Sequence, residues 1–381
     1  MSQLESFTTN GHEIPIIAME GSPRDCGIQY GRAVSNLIHG SLQAYLESFR
    51  LLHSLDQDAI FELARKFEPM IAEFDPATLE EIKGIAEGAD APLEAVLTIN
   101  ARSELVHGLK AQLDDGCTSF IVFGEATADG HTYVGQNWDW NPAMKPNAVV
   151  LDIQRDGDPR ILTLTEAGLV GKHGLNEDGI GLCNNFMLSD KRRFGLPVHV
   201  TRRKALTARI LSDAIGAVLN SERALAANYM MGHVDGAGVA LEAWPEGLDV
   251  IHAKDGLLTH ANHFQISRDG REDIGRNIFP DTLLRDVRLN DLLRAQHGRI
   301  DLGILADGMS DHFNFPDSIC RHPNPSAQSG QGIETLGCII MDLTDRVLHY
   351  CSGPPCEGDF AAIHMDRKPG QIAIGNYRKA A

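Results

Sequence analysis

Cys117 follows Gly116 and opens the run Thr118-Ser119-Phe120-Ile121-Val122-Phe123. A thiol attacks strongly only as thiolate, so it needs a base or a positive charge close by. Breaking the Gly116–Cys117 bond supplies one. The new α-amine of Cys117 titrates near about 7.7–8.0 and can take the thiol proton directly or through a water. The same thiol can break that bond. It attacks the Gly116 carbonyl, the acyl group shifts from nitrogen to sulfur, and water releases the preceding chain. Gly116 permits the strained backbone that such an attack needs. Taken alone, Cys117 reads more plainly as a buried strand cysteine. The residues downstream shift that balance.

Gly135-Gln136-Asn137-Trp138-Asp139-Trp140 sets an amide, an aromatic and a carboxylate at the end of a strand expected to pair with the Cys117 strand. Asp139 can accept from an ammonium or orient a guanidinium; otherwise it is a turn Asp. Asn262, in Thr259-His260-Ala261-Asn262-His263, is a candidate oxyanion donor or a cap. Arg321, in Ser318-Ile319-Cys320-Arg321-His322, suits a carboxylate or a surface ion pair. Asp139 and Arg321 are expected to form a bidentate pair beside Cys117. Thr118, Trp138, Asn185 and His263 are candidate pocket residues. Spacing singles out none of His131, His173, His260 and His263. There is no Gly-rich phosphate loop, no zinc spacing and no paired-carboxylate signature.

The elements that must position these residues divide at the Cys. The first third, ending in Asp114-Asp115-Gly116, reads as a mostly helical lead-in, with short extended pieces over 8–19 where Pro15 favours an edge or irregular strand. Helices are expected over 23–53, 56–74, 76–87 and 91–105, with Ser22-Pro23-Arg24-Asp25 as a helix start. Short strands follow from Cys117, over 118–123, 132–136, 148–154, 161–165, 168–173 and 179–184. A helix over 198–227 precedes strands over 238–244, 248–254 and 257–262. Helices over 281–296 and 301–309 lead to strands over 337–342 and 347–352. The expected segments are therefore 1–116 and 117–381, in an α+β fold of two antiparallel sheets with helices outside them.

In order, Asp115-Gly116-Cys117-Thr118-Ser119, Gly135-Gln136-Asn137-Trp138-Asp139, Thr165-Glu166-Ala167-Gly168 with Gly171-Lys172, Asn262-His263 and Ser318-Ile319-Cys320-Arg321 resemble blocks of the acyl-coenzyme A:6-aminopenicillanic acid acyltransferase family. This is the C45 peptidase group of the N-terminal nucleophile hydrolases. The resemblance covers most of the chain. It implies a four-layer αββα fold, autocatalytic cleavage before Cys117, Cys117 as nucleophile, and Asp139, Asn262 and Arg321 as site residues. Ala261 stands where the family's block has Thr. The expected activity is self-processing hydrolysis of a small N-acyl amide through a Cys117 thioester, with the cleaved fragments staying associated. The alternative is acyl transfer from an acyl-thioester such as acyl-CoA to an amine. From another class, a non-catalytic relative would keep the sheets and bind a small ligand. No cofactor is implied, and a homo-oligomer is left open.

The totals bound the partners and say little about a small-molecule substrate. The 381 residues are 43% hydrophobic, enough for a full core. A net charge of −18 argues against nucleic acid or an anionic membrane as partner. No run is long enough to span a membrane. Met1-Ser2-Gln3-Leu4-Glu5 lacks the features of a signal peptide, and Arg378-Lys379-Ala380-Ala381 is no peroxisomal address. The seven cysteines are odd in number and unpaired in spacing, which suits free thiols in a reducing cytoplasm.

Overall fold

The computed structural model describes residues 4–108, 116–325, 332–368 and 370–378. Asp114 and Asp115 at the end of the lead-in, and Lys379-Ala380-Ala381, lie outside the described residues. Strands β1 (Leu4–Thr9) and β2 (His12–Gly21) come first. Helices follow: α1 (Pro23–Ala33), α2 (Ser35–His53), α3 (Gln57–Arg65), α4 (Glu68–Phe74), α5 (Pro76–Ala89), α6 (Leu93–Asn100) and α7 (Arg102–Gly108). Next come β3 (Gly116–Val122), β4 (Tyr133–Trp140), β5 (Ala148–Arg155), β6 (Ile161–Glu166), β7 (His173–Asn176) and β8 (Ile180–Met187). Helices α8 (Val198–Leu206) and α9 (Leu211–Leu219) precede β9 (Ala226–His233), β10 (Ala237–Trp244), β11 (Gly247–His252) and β12 (Leu257–His260). The chain closes with α10 (Gly275–Ile278), α11 (Thr282–Arg294), α12 (Leu302–Met309), β13 (Glu334–Asp342), β14 (Val347–Ser352), β15 (Phe360–His364) and β16 (Ala373–Gly375).

Among the described residues the strands form two sheets, ordered β1-β2-β5-β6-β7-β8-β9-β10-β11 and β12-β3-β4-β13-β14-β15-β16. Neighbouring strands run antiparallel, except that β2 and β5 are parallel, with Ile16 opposite Val150. Alternation along β3 assigns its two faces. Phe120 and Val122 pack with Leu289 and Leu293 of α11 and Leu305 and Met309 of α12. Ile121 joins the core between the sheets with Val134, Leu182, Met231 and Ile339. On the far side of the first sheet, Tyr30, Ile82, Ile85, Val96 and Val200 belong to that same large core. Helices, sheet, sheet and helices make four layers, the expected α+β architecture.

The extended pieces expected over 8–19 fall in two strands, β1 and β2. Asn10 and Gly11, both with positive φ, turn β1 into β2, and β2 joins the first sheet. Pro15, which has no N–H to give, sits one residue before the ladder with β5 begins. The helix expected over 23–53 breaks at Val34, whose φ and ψ of −135° and 36° leave the helical region. What α1 buries explains its separate path: a Cβ on Gly27 would lie 2.1 Å from the Glu81 carbonyl oxygen, and one on Gly31 2.4 Å from that of Ile85. Only glycines let α1 and α5 approach so closely. The helix expected over 198–227 stops at Leu206, resumes at Leu211 and gives way to β9. The strand expected over 168–173 is instead a turn at Gly168, φ +96°, with β7 starting where that strand was expected to end.

Candidate active site

Cys117 is the second residue of β3, and the alternation that sends Ile121 between the sheets sends Cys117 and Ser119 there too. Its backbone is held at both polar groups. The Cys117 N–H donates to Asn262 Oδ1 at 2.9 Å, from the segment just after β12. The Cys117 carbonyl accepts from Arg285 Nη1 at 2.8 Å and from Asn185 Nδ2 at 3.2 Å. Asn185, on β8 of the opposite sheet, also accepts from Ser119 Oγ at 2.7 Å and from Asn228 Nδ2 at 2.9 Å. Both sheets thus fix the strand end that carries the thiol.

Arg285 is the group the sequence reading missed. It is fully buried on α11, and besides the Cys117 carbonyl it donates to Thr118 Oγ1, Asn262 Oδ1 and Asp281 Oδ2, each at 2.8 Å. The signal was present: Arg285 stands four residues before Leu289 and eight before Leu293, so it occupies the apolar face of its helix. A charge placed there needs a buried partner.

Asn262 is fixed through both ends of its amide. Two donors, the Cys117 N–H and Arg285, converge on its carbonyl oxygen, while its amide nitrogen donates to the Phe186 carbonyl at 2.9 Å. The side chain thus holds the Cys117 nitrogen through its oxygen, and one of its two amide N–H groups is taken by the Phe186 carbonyl. It is an acceptor already placed for an α-amine.

Asp139 pairs across β3 and β4 with Gly116, not with the thiol. Its Oδ1 accepts from Thr335 Oγ1 at 2.7 Å, and its Oδ2 has no hydrogen bond. A Cβ on Gly116 would lie 2.9 Å from that oxygen. Gly116 itself is an ordinary strand residue. The need for glycine here is the close approach of a carboxylate, not the backbone strain expected. Burial pushes the Asp139 carboxyl above its usual range, against the pull of Arg321 and Arg285.

The bidentate Asp139–Arg321 pair does not form. Arg321 gives its two Nη groups to Asp281 and Asp317, and only Nε faces Asp139 Oδ2, at 3.7 Å. Asp281 outcompetes Asp139 because it bridges Arg321 and Arg285. The two guanidiniums hold its carboxyl below the usual range although burial opposes this.

On the thiol's side of the sheet, a narrow cavity at Cys117 is lined among others by Arg102, Lys172, His173, Asn184, Phe186 and Arg202. None of the four expected pocket residues lines it. Thr118 points to the outer helices and bonds Arg285. Trp138 lies beneath the Lys172 ammonium, 3.4 Å from its ring centroid. Asn185 is occupied as above, and His263 meets Thr282 and Asp286 behind β12. Glu166 takes hydrogen bonds from Lys172 and Arg102, each at 2.8 Å, and from Tyr45. Burial would raise its carboxyl, but Arg102 and Lys172 bring it to about 2. Burial, then Lys172 and Arg202, push His173 well below its ordinary value, so it stays neutral. A wider cleft, of about 810 Å³ near Met70, Lys204 and Asp213, holds none of these groups.

Comparison with known proteins places this geometry in a family. The chain is 29% identical, over 345 residues, to the 40 kDa form of acyl-coenzyme A:6-aminopenicillanic-acid-acyltransferase of Emericella nidulans, covering 90% of this chain and 94% of that one. It is 24% identical over 335 residues to an uncharacterized protein of Archaeoglobus fulgidus, covering 75% of this chain and 56% of the relative, so it spans little more than half of that length. Solved structures with a similar course include a conjugated bile acid hydrolase variant of Clostridium perfringens, at TM-score 0.46 and 17% identity over 68% of this chain and 96% of that one. Penicillin V acylase of Agrobacterium tumefaciens aligns at TM-score 0.41 and 10% identity over 62% and 83%. The profile of the family described as acyl-coenzyme A:6-aminopenicillanic acid acyl-transferase matches residues 126–357, well over half of the sequence, and the chain belongs to that family.

Proposed function

We propose that the protein is a self-processing amidase in which Cys117 is the nucleophile and, after cleavage of the Gly116–Cys117 bond, its α-amine is the base. The observation that carries this reading is the cradle on Cys117: a carbonyl acceptor 2.9 Å from its nitrogen and two side-chain donors on its carbonyl. All three partners are side chains, beyond the point where the ladder with β12 ends. Cleavage leaves the nitrogen as an amine beside Asn262 Oδ1. The buried Arg285 cation, bonded to the same oxygen, disfavours a second positive charge there. The amine is thereby kept neutral, the form that can accept the thiol proton.

In the reaction, the thiolate attacks the acyl carbon of the substrate and the C–N bond breaks. The proton carried by the α-amine goes to the departing amine. Water then attacks the thioester, releasing a carboxylic acid and restoring the thiol. The cations Arg102, Lys172 and Arg202 against Glu166 and Glu104, whose carboxyl burial raises to about 7, leave the cavity with a positive balance. That favours an amide with an anionic group. The name of the Emericella relative supports a second outcome of the same intermediate, in which an amine replaces water and the acyl group is transferred. The fragments are held together across the cut by Glu81 with Arg155 and Arg203, and by Arg102 with Glu166.

The test is to incubate the protein with a panel of small N-acyl amides, with and without a carboxylate on the amine side, and follow both products. Free acid and free amine in equal amounts support hydrolysis. New amide on addition of an acceptor amine supports transfer. No turnover of any amide or acyl-thioester by cleaved protein would refute the enzymatic reading.

A further inference from the structure

The sequence spacing gave no metal motif, yet the fold gathers His312, Cys320, His322 and Cys356 so that one ligand atom from each lies within 4.8 Å of all the others. We propose that these four side chains form a tetrahedral site for zinc, a structural ion outside the catalytic cavity.

The three separations around His322 Nε2 are close to those of an occupied site. With Zn–S at about 2.3 Å and Zn–N at about 2.0–2.1 Å, tetrahedral angles set ligand nitrogens about 3.3 Å apart and a nitrogen about 3.6 Å from a sulfur. His312 Nε2 and His322 Nε2 are 3.1 Å apart. His322 Nε2 is 3.7 Å from Cys320 Sγ and 3.3 Å from Cys356 Sγ. Two thiols and two imidazoles are the donor set that selects zinc over magnesium or calcium. The other nitrogen of His322, Nδ1, faces Glu357 Oε1 at 3.5 Å, as a carboxylate that orients a metal-bound imidazole does. Cys320 is buried and His312 exposed, so an ion has a way in from the His312 side. Binding one Zn²⁺ to two thiols and two neutral imidazoles releases two protons.

The site ties two loops together. His312, Cys320 and His322 belong to the segment after α12, and Cys356 to the turn after β14. Arg321 sits between two of the ligands and reaches Asp139 and Asp281. Zinc there would fix the course of the Arg321 segment. Spacing could not show this, because the ligands fall at 312, 320, 322 and 356 with no close Cys pair and no paired histidines.

Elemental analysis of the full chain, purified without chelator, tests the proposal together with cobalt titration of the stripped protein. The expected result is about one zinc per chain, and with Co²⁺ the thiolate charge-transfer and tetrahedral d–d bands of a two-sulfur site. Cys356→Ser and His312→Ala should each lose most of the bound metal. His312 is exposed, so that variant folds whatever the fate of Cys356→Ser. Stoichiometric zinc retained by His312→Ala and Cys356→Ser would overturn the proposal. So would a stripped, reduced wild-type protein that takes up neither Zn²⁺ nor Co²⁺, or freshly isolated protein without zinc in which Cys320 and Cys356 are joined as a disulfide.

Discussion

Arg285 decides how Cys117, the proposed nucleophile, is presented. It meets the Cys117 carbonyl, Thr118 Oγ1, Asn262 Oδ1 and Asp281 with one planar fork. A lysine ammonium cannot reproduce that set of directions. Arg285→Lys is therefore expected to slow turnover about 10²-fold, the cost of misplacing a reacting group by about an ångström. Arg285→Gln removes the nearby charge as well. The α-amine then holds its proton more tightly, and the rising limb of the pH–rate profile should move to higher pH. A profile unmoved in Arg285→Gln would mean that the guanidinium does not tune the amine. The sequence reading chose Cys117, Asp139, Asn262 and Arg321, and the structure brings the first three to one strand end, with Arg321 at its rim. Their roles were less legible. Type and order of residues do not say which face of β3 a partner lies on, nor which of several carboxylates wins an arginine.

At the scale of elements, alternating apolar residues made β3, β5, β6, β10 and β13 readable. The helical breaks were not, because they depend on what each helix packs against. The α1–α5 contact is the clearest case. Gly27→Ala puts a methyl 2.1 Å from the Glu81 carbonyl oxygen, and Gly84→Ala one 2.3 Å from that of Arg24. Each should destabilise the fold by about 1–3 kcal/mol, as overpacking does. Gly216→Ala in α9 meets nothing closer than Asn220 Nδ2 at 3.9 Å. It should be neutral or stabilising by up to about 1 kcal/mol. Denaturant unfolding of the three variants separates these outcomes; equal midpoints would show that the two helices can part without cost. The strands at 226–233 and 360–364 also escaped the sequence reading. The first continues a helical-looking stretch and the second follows a loop rich in Pro and Gly.

Over the whole molecule, the segments before and after Cys117 share one core and several buried ion pairs. Glu166 is the most telling of these, because its partners Arg102 and Tyr45 precede the proposed cleavage point and Lys172 follows it. Its carboxyl lies at about 2, below the ordinary carboxylate value, chiefly because two cations overcome burial. A depressed value contributes stability that is complete above the unfolded carboxyl range and is lost as pH falls through the folded value. The association of the two fragments should therefore hold at neutral pH and weaken between about pH 4.5 and 2. In Glu166→Gln two buried cations lose their counter-charge, at about 3–5 kcal/mol, and this acid dependence should flatten. Size-exclusion chromatography across that range, wild type against variant, checks it. Identical elution of both proteins at every pH would remove Glu166 from the account.

The account rests on cleavage between Gly116 and Cys117. Intact mass spectrometry of the freshly purified protein under denaturing conditions tests it most directly. Wild type should give two species, residues 1–116 and 117–381, and Cys117→Ala one species of full length with no turnover. A wild-type protein that stays at full mass and still turns over its substrate would contradict the account.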